Sequence, residues 1–287
     1  MEVPSSLNQF EIVTLKSGIK SLRSLDHQET FHPTTGPLGE ATILHTEQQR
    51  LVERSSGVKK FVIWDVGFGA AANVIAAIEV LKKCNLETEI ELHSFDKTTA
   101  PIEFALSHAS ELEYLVGYES SINELILNQQ VQLTSRMRWQ LHLGDFSSLM
   151  KQDNRNFPPP NTIFYDPYSA ATNPEMWTLE HFKSLHQNLD PKEECLLTNY
   201  SRSTAVRVAL LLAGFFVGTG CVIGEKAETT LASNHLEMLK KPLERAWLDR
   251  VRYSTNAAPL RTRHYSKSMI SPEDFEKLQR LPQFQQA

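Results

Sequence analysis

The sequence contains no run of about eighteen apolar residues, so no membrane-spanning helix is expected. The opening stretch MEVPSSLNQF lacks a basic flank followed by an apolar core, which argues against a secretory signal. Cysteine is scarce. Cys84, Cys195 and Cys221 are odd in number and far apart, so neither a disulfide framework nor a zinc-type spacing can be read from them. The expected setting is reducing and cytoplasmic, with each cysteine a small core residue rather than a nucleophile. Repeats and low-complexity tracts are absent, apart from FPPP at 157–160, which reads as a rigid loop. Histidines at metal spacing are missing as well. His181 and His186 fall five apart on one expected helix and are read as surface residues, so no metal is expected.

Net positive charge is also lacking: the formal charge is −5, which does not advertise a nucleic-acid partner. The charge is unevenly placed, however. Between Lys240 and Lys267 stand eight Lys or Arg (Lys240, Lys241, Arg245, Arg250, Arg252, Arg261, Arg263, Lys267) against Glu244 and Asp249. Such a segment suits either a run of phosphates or a solvated helix face followed by a basic loop.

With 287 residues, 41% of them hydrophobic, the chain can bury one sizeable core with extensions or two small domains. Short alternating stretches, QFEIVTLKSG and GEATILH, suggest a β-rich amino-terminal extension over 1–55. From about residue 60 strands alternate with helices. Strands are expected at 61–66, 90–95, 138–143, 162–165 and 195–199, with helices at 70–83, 101–110, 122–129, 174–189 and 203–213. Two further strands, 215–218 and 228–232, would close the sheet as a hairpin. This alternation predicts an α/β fold with a mostly parallel, seven-stranded, Rossmann-like sheet over 56–240, followed by a basic extension over 241–287.

In such a sheet ligands sit at the carboxyl ends of the strands, near the switch point. Four loops there carry distinctive residues. The first, DVGFGAAAN, places Gly67, Phe68 and Gly69 in a tight turn ahead of a helix. Read as Gly67-x-Gly69-x-x-Ala72 it satisfies a loose dinucleotide fingerprint, so by itself it admits a nicotinamide cofactor or S-adenosylmethionine. Asp65 tilts the choice, because an acid is awkward beside a pyrophosphate yet can hold the ammonium of a methionine moiety, directly or through water; an Asp capping the loop is the alternative. The second loop carries Asp96, an acceptor for ribose hydroxyls in either cofactor, with Lys97 beside it. The third offers Gly144, Asp145 as an acceptor for an adenine amino group, and Phe146 to pack near the base. An ordinary Gly-Asp turn is the alternative there.

The fourth loop, NTIFYDPYSAATNPEMWT at 161–178, is the most specific. It presents Asp166, Pro167 and Tyr168 at the mouth of the site, then Asn173 as N-cap of a helix opened by Pro174. This block, with LLTNYSRSTAVRVALLLAGF, GEKAETTLAS and the lead-in ETFHPTTGPLGEATILH, resembles the methyltransferase domain of the MnmC family, in the stand-alone form without the fused oxidase. The first loop departs from that family's usual Gly-Phe-Gly-Thr-Gly-Leu-Asn in having Ala70, Ala71 and Ala72, while Asn73 is retained. Ala-Ala-Thr at 170–172 replaces the proline and basic residues common after Asp166.

The resemblance implies a class I S-adenosyl-L-methionine-dependent methyltransferase fold. It implies N-methylation of 5-aminomethyl-(2-thio)uridine at the tRNA wobble position to the 5-methylaminomethyl form. Asp65, Gly67, Phe68, Gly69, Asn73, Asp96, Lys97, Gly144, Asp145 and Phe146 would then bind the cofactor. Asp166 would orient the amine, and Tyr168 would wall the acceptor pocket or stack on the uracil. Pro167, Asn173, Arg202, Lys240, Lys241 and Arg245 would meet the tRNA anticodon loop. Arg207 is placed in a structural ion pair instead. A separate oxidase supplying the aminomethyl substrate is the further partner implied. Competing readings are a class I methyltransferase acting on a small molecule or protein, a nicotinamide-dependent oxidoreductase, and an inactive binding module.

Overall fold

The computed structural model describes residues 9–84, 87–152, 156–223 and 228–285. The first eight residues and the opening of GEKAETTLAS, 224–227, lie outside that set. Phe10–Thr14 (β1), Lys20–Ser24 (β2) and Glu29–Thr30 (β3) form a small antiparallel sheet. The main sheet is built from Lys60–Val66 (β4), Glu89–Asp96 (β5), Gln130–Thr134 (β6), Met137–Leu143 (β7), Thr162–Tyr165 (β8), Leu196–Asn199 (β9), Phe216–Thr219 (β10) and Thr230–Ser233 (β11). Its order is β10-β11-β9-β8-β4-β5-β7-β6, parallel from β9 through β7 and antiparallel at both edges.

Strand β4 explains why the sheet is covered on both faces. Successive side chains of a strand point to opposite faces. Phe61 and Ile63 join the core formed with helix Ala72–Lys82, whereas Val62, Trp64 and Val66 join the core of helices Leu179–Gln187 and Thr204–Leu212. A continuous apolar run is what a central parallel strand requires. FPPP is a loop, as expected, and is pinned under the sheet: Trp64 donates to the Pro158 carbonyl at 3.0 Å. Leu243, Leu248, Val251, Leu278 and Phe284 share the core of β8 and β9.

Three expectations are corrected. Among the described residues the main sheet has eight strands rather than seven, because Gln130–Thr134 pairs with β7 as an edge hairpin. Val131 is the buried residue of that strand, and its polar neighbours hid it from the hydrophobic pattern. GEATILH is helical, not extended: Pro37–Ala41 is an α-helix and Thr42–Glu47 a π-helical turn. Ala41, Leu44 and His45 are buried at three- and four-residue spacing, which is the helical period. The helix expected over 174–189 divides into a 3-10 turn, Pro174–Trp177, and the helix Leu179–Gln187. Thr178, rather than Asn173, is the side-chain cap, accepting from the His181 amide at 3.2 Å. Among the described residues no helix is long and apolar enough to cross a membrane.

Candidate active site

β4 pairs with β5 on one side and β8 on the other, so the order of strand addition reverses beside β4. A cleft of about 690 Å3 opens at this switch point, lined by Gly67, Gly69, Asp96, Gly144, Phe146, Asp166, Pro167 and Tyr168. All four distinctive loops therefore reach one cavity.

On its first-loop side the glycines answer to packing as much as to any ligand. Gly67 has φ +94, and a Cβ there would stand 2.6 Å from the Asp166 carbonyl oxygen. Gly69 has φ +51, and a Cβ there would stand 3.1 Å from the Phe31 ring. Ala71 adopts φ +66, the left-handed region that favours glycine, where the family pattern has one. The Phe68 ring is buried against Trp139, 5.8 Å between centroids, and the residue also lines the cleft.

Asp96 accepts from the Gly69 amide at 3.0 Å and the Lys97 amide at 2.7 Å. Burial raises its pKa, and these backbone donors oppose that rise. A carboxylate offers about four acceptor sites, so capacity remains for ribose hydroxyls. Asp145 spends one oxygen capping helix Phe146–Leu149 through the Ser148 amide at 2.9 Å. Its other oxygen lies 3.7 Å from the Lys97 ammonium, which also meets Glu175 at 3.2 Å. Phe146 packs on Phe95 at 4.9 Å while lining the cleft.

Asp65 does not line the cleft. It is 1% exposed and accepts from the Ser94 hydroxyl at 2.9 Å, while Oδ1 has no hydrogen-bond partner among the described residues. Burial pushes its pKa up to about 8. Of the two arrangements expected from sequence, direct or water-mediated capture of an ammonium, the geometry does not set up the direct one.

The acceptor side is built by two distant stretches meeting face to face. Asn73, expected on the cofactor side, donates to Asp166 Oδ2 at 3.0 Å, and His32 Nε2 lies 3.4 Å from the same oxygen. Burial pushes the Asp166 carboxyl up, but His32 and Asn73 more than offset it, leaving the group below the ordinary carboxylate value. Tyr168 sits against His27 at 4.3 Å and edge-on to Phe31 at 5.6 Å, with its hydroxyl pushed up to about 12 by burial. Glu29 accepts from the Ser169 amide at 3.1 Å and from the hydroxyls of Ser169 and Thr172. Thr172 thus makes a protein contact where the family commonly has basic residues. Tyr200 donates to the Pro167 carbonyl at 3.0 Å and also lines the cleft. The Asn173 amide lies 3.0 Å from the Glu175 carboxylate.

His27, Glu29, Phe31, His32 and Tyr200 were missed as site residues. The lead-in ETFHP was the available signal for Glu29, Phe31 and His32, and the LLTNYSRS block for Tyr200; nothing around His27 marked it out.

The expected cations divide. Arg202 is exposed on the loop after β9, and Lys240 and Lys241 are exposed beside the carboxyl end of β10, where the Thr219 amide donates to the Lys241 carbonyl at 2.9 Å. Arg245 donates to the Phe284 carbonyl at 3.2 Å, a structural commitment. Arg207 is 1% exposed and bonds Glu228 at 2.9 Å, Thr230 at 3.0 Å and the Thr229 carbonyl at 2.9 Å, as the structural reading required. His181 corrects the reading of surface histidines: it is 5% exposed, bonded to Ser147 at 2.8 Å, and held near 4 by burial. Cys195 is a core residue whose thiol burial pushes up to about 12.

Comparison with known proteins agrees with this geometry. Residues 112–235 match a family described as S-adenosyl-L-methionine-dependent methyltransferase. The tRNA 5-methylaminomethyl-2-thiouridine biosynthesis bifunctional protein MnmC of Methylibium petroleiphilum is 26% identical over 210 residues, covering 71% of this chain and 31% of that protein. MnmC of Cupriavidus necator is 24% identical over 259 residues, covering 86% of this chain and 38% of that protein. The chain therefore spans about a third of the length of these relatives. The crystal structure of MnmC2 from Aquifex aeolicus superposes with a TM-score of 0.69 at 25% identity, covering 94% of this chain and 82% of that one. A spermidine synthase bound to the transition-state analogue AdoDATO shares the fold, with a TM-score of 0.52 at 12% identity and coverage of 94% and 84%. The nicotinamide-dependent reading is set aside by the family match. The chain is a class I S-adenosyl-L-methionine-dependent methyltransferase that resembles the methyltransferase region of MnmC.

Proposed function

We propose that this enzyme methylates the primary amine of 5-aminomethyl-(2-thio)uridine at the tRNA wobble position, giving 5-methylaminomethyl-(2-thio)uridine. The observation that carries the reading is Asp166, ionised and oriented at the cleft mouth beside the aromatic wall of Tyr168. The cleft fits the cofactor: Asp96 keeps acceptor capacity for a ribose, Phe146 and Met176 offer apolar surface for a base, and helix Ala72–Lys82 presents its first turn to the cavity. First-turn amides have no intrahelical partner, so they suit a carboxylate. Gly67, Gly69 and Gly144 shape the backbone there. Lys97 and Asp145 close the base side, and Asp65 acts from behind the loop.

When bound, the cofactor supplies an electrophilic sulfonium methyl group. The chain's task is to align a nitrogen lone pair with it and to exclude competitors. An ammonium has no lone pair, so the acceptor must reach the site as, or become, a neutral amine. Asp166 accepts a hydrogen bond from that amine and fixes its direction. Tyr168 offers a face for the unstacked uracil, as aromatic side chains commonly do for RNA bases. Pro167 and Asn173 border the acceptor. Arg202, Lys240 and Lys241 meet phosphates of the anticodon loop, with Arg245 contributing less because of its Phe284 bond. A separate oxidase would supply the aminomethyl group, in the cytoplasm.

A small amine acceptor is the second reading, favoured by Asp26, Glu29, Glu40 and Glu175, which line the same cleft as Asp166. Incubating the protein with methyl-labelled cofactor and either tRNA from cells lacking the wobble methyltransferase or a panel of small amines separates the two. Label in tRNA is the expected result; label confined to the small amines would transfer the assignment to the second reading.

A further inference from the structure

We infer that His32 is a positioning residue of the transfer site: with Asn73 it holds the Asp166 carboxylate toward the acceptor and offsets its charge. This rests on the methyl-transfer reading above and deepens it.

The three groups come from separate parts of the fold. His32 follows β3, Asn73 lies in the first turn of helix Ala72–Lys82, and Asp166 follows β8. Asn73 is 4% exposed and uses both ends of its amide: Nδ2 donates to Asp166 at 3.0 Å, and Oδ1 stands 3.2 Å from His32 Nε2. An amide oxygen only accepts, so Nε2 carries the hydrogen and donates it to Asn73, while Asp166 Oδ2 stands 3.4 Å from the same nitrogen, within ion-pair distance. His32 has φ +47 directly before Pro33, a left-handed backbone that the surrounding contacts must enforce. The imidazole also lines the cleft rather than the core.

The charged surroundings favour an ion pair. Burial pulls the His32 imidazole down, but Asp166 and, from helix Pro37–Ala41, Glu40 more than offset that, so it lies above its ordinary value. His45, from the neighbouring π-helical turn, is held near 4 by burial and adds no positive charge. The consequence is chemical. A lone carboxylate beside the acceptor would stabilise its ammonium and delay the loss of the proton that frees the lone pair; an adjacent imidazolium offsets that effect. The acceptor ammonium gives one proton to water. Its nitrogen lone pair then forms the N–C bond as the C–S bond to the methyl breaks, leaving a thioether and a secondary ammonium.

The direct test is an NMR titration of the histidine ring signals in the ligand-free wild type and in Asp166→Asn. His32 should titrate above about 6.5 in the wild type and below it in the variant, where burial acts without the carboxylate. Titration at or below 6.5 in the wild type, or no change in the variant, overturns the inference. In turnover with wobble-undermethylated tRNA, His32→Gln should lower kcat by roughly 10- to 100-fold, leave cofactor affinity within about twofold, and move the rising limb of the kcat/KM pH profile upward by about half a unit. A loss of kcat with an unmoved limb marks a merely structural role and also overturns it. If the wild type methylates no tRNA the proposed function falls, whereas the titration still decides the pair.

Discussion

Asp166 is held by residues far away in sequence, and this explains both its low pKa and its sensitivity to change. Replacing it by Asn keeps the volume and the Asn73 contact within reach but removes the charge that orients an amine. Turnover should fall by about 100-fold or more, with S-adenosylmethionine affinity within about threefold, as read by single-turnover kinetics and calorimetric binding. Retained turnover would remove Asp166 from the mechanism. The sequence made this acid legible because it follows an apolar strand and precedes Pro167 and Tyr168. His32 was harder to find: a histidine in a short Gly- and Pro-punctuated lead-in carries no periodic signal, and its place in ETFHP was the sole mark on it.

Asp65 makes the opposite case: its motif position suggested a ligand contact, and only the three-dimensional packing showed it behind the cleft. Its folded-state pKa, about 8, is raised above the unfolded value of about 4. The folded state therefore keeps a proton that the unfolded state releases, and stability declines as pH rises from about 4 to about 8. Each unit of displacement corresponds to about 1.4 kcal/mol. Asp65→Asn should flatten that decline in the cofactor-free protein, followed by urea unfolding across this range. An unchanged slope would show that Asp65 is ionised in the folded state.

At the level of elements, the loop after β4 is locked to the loop after β8 before any ligand arrives. The Gly67 Cα approaches the Asp166 backbone so closely that Gly67→Ala must open the contact while also placing alanine at φ +94. The left-handed penalty is about 1–2 kcal/mol and overpacking adds about 1–3 kcal/mol, so a loss of about 2–5 kcal/mol is expected in chemical denaturation. A loss below about 0.5 kcal/mol would mean that the two loops can separate freely. The parallel strands were readable because their apolar runs are long and bounded by turns. The turn at Thr42–Glu47 was not, because a short stretch of alternating apolar residues fits strand and helix alike until Leu44 and His45 are seen buried together.

Across the whole molecule, a chain of net charge −5 has to meet an anionic partner through a local patch. Lys240 and Lys241 stand at the carboxyl end of β10, three strand spacings, roughly 14 Å, from β8. Their position, on the same edge of the sheet as the cleft, lets a nucleic-acid loop touch both. Replacing the pair by Ala should weaken tRNA binding and reduce the salt slope by about two, measured by filter binding from low to moderate salt. Unchanged affinity and slope would make them part of a solvated face.

The account stands or falls on the product. Wild-type protein should be incubated with S-adenosylmethionine and tRNA from cells lacking the wobble methyltransferase, and the digested nucleosides separated by mass. Conversion of 5-aminomethyl-(2-thio)uridine to its 5-methylaminomethyl form, lost in Asp166→Asn, is the predicted result. Cofactor binding with no new methylated wobble uridine would contradict the central claim.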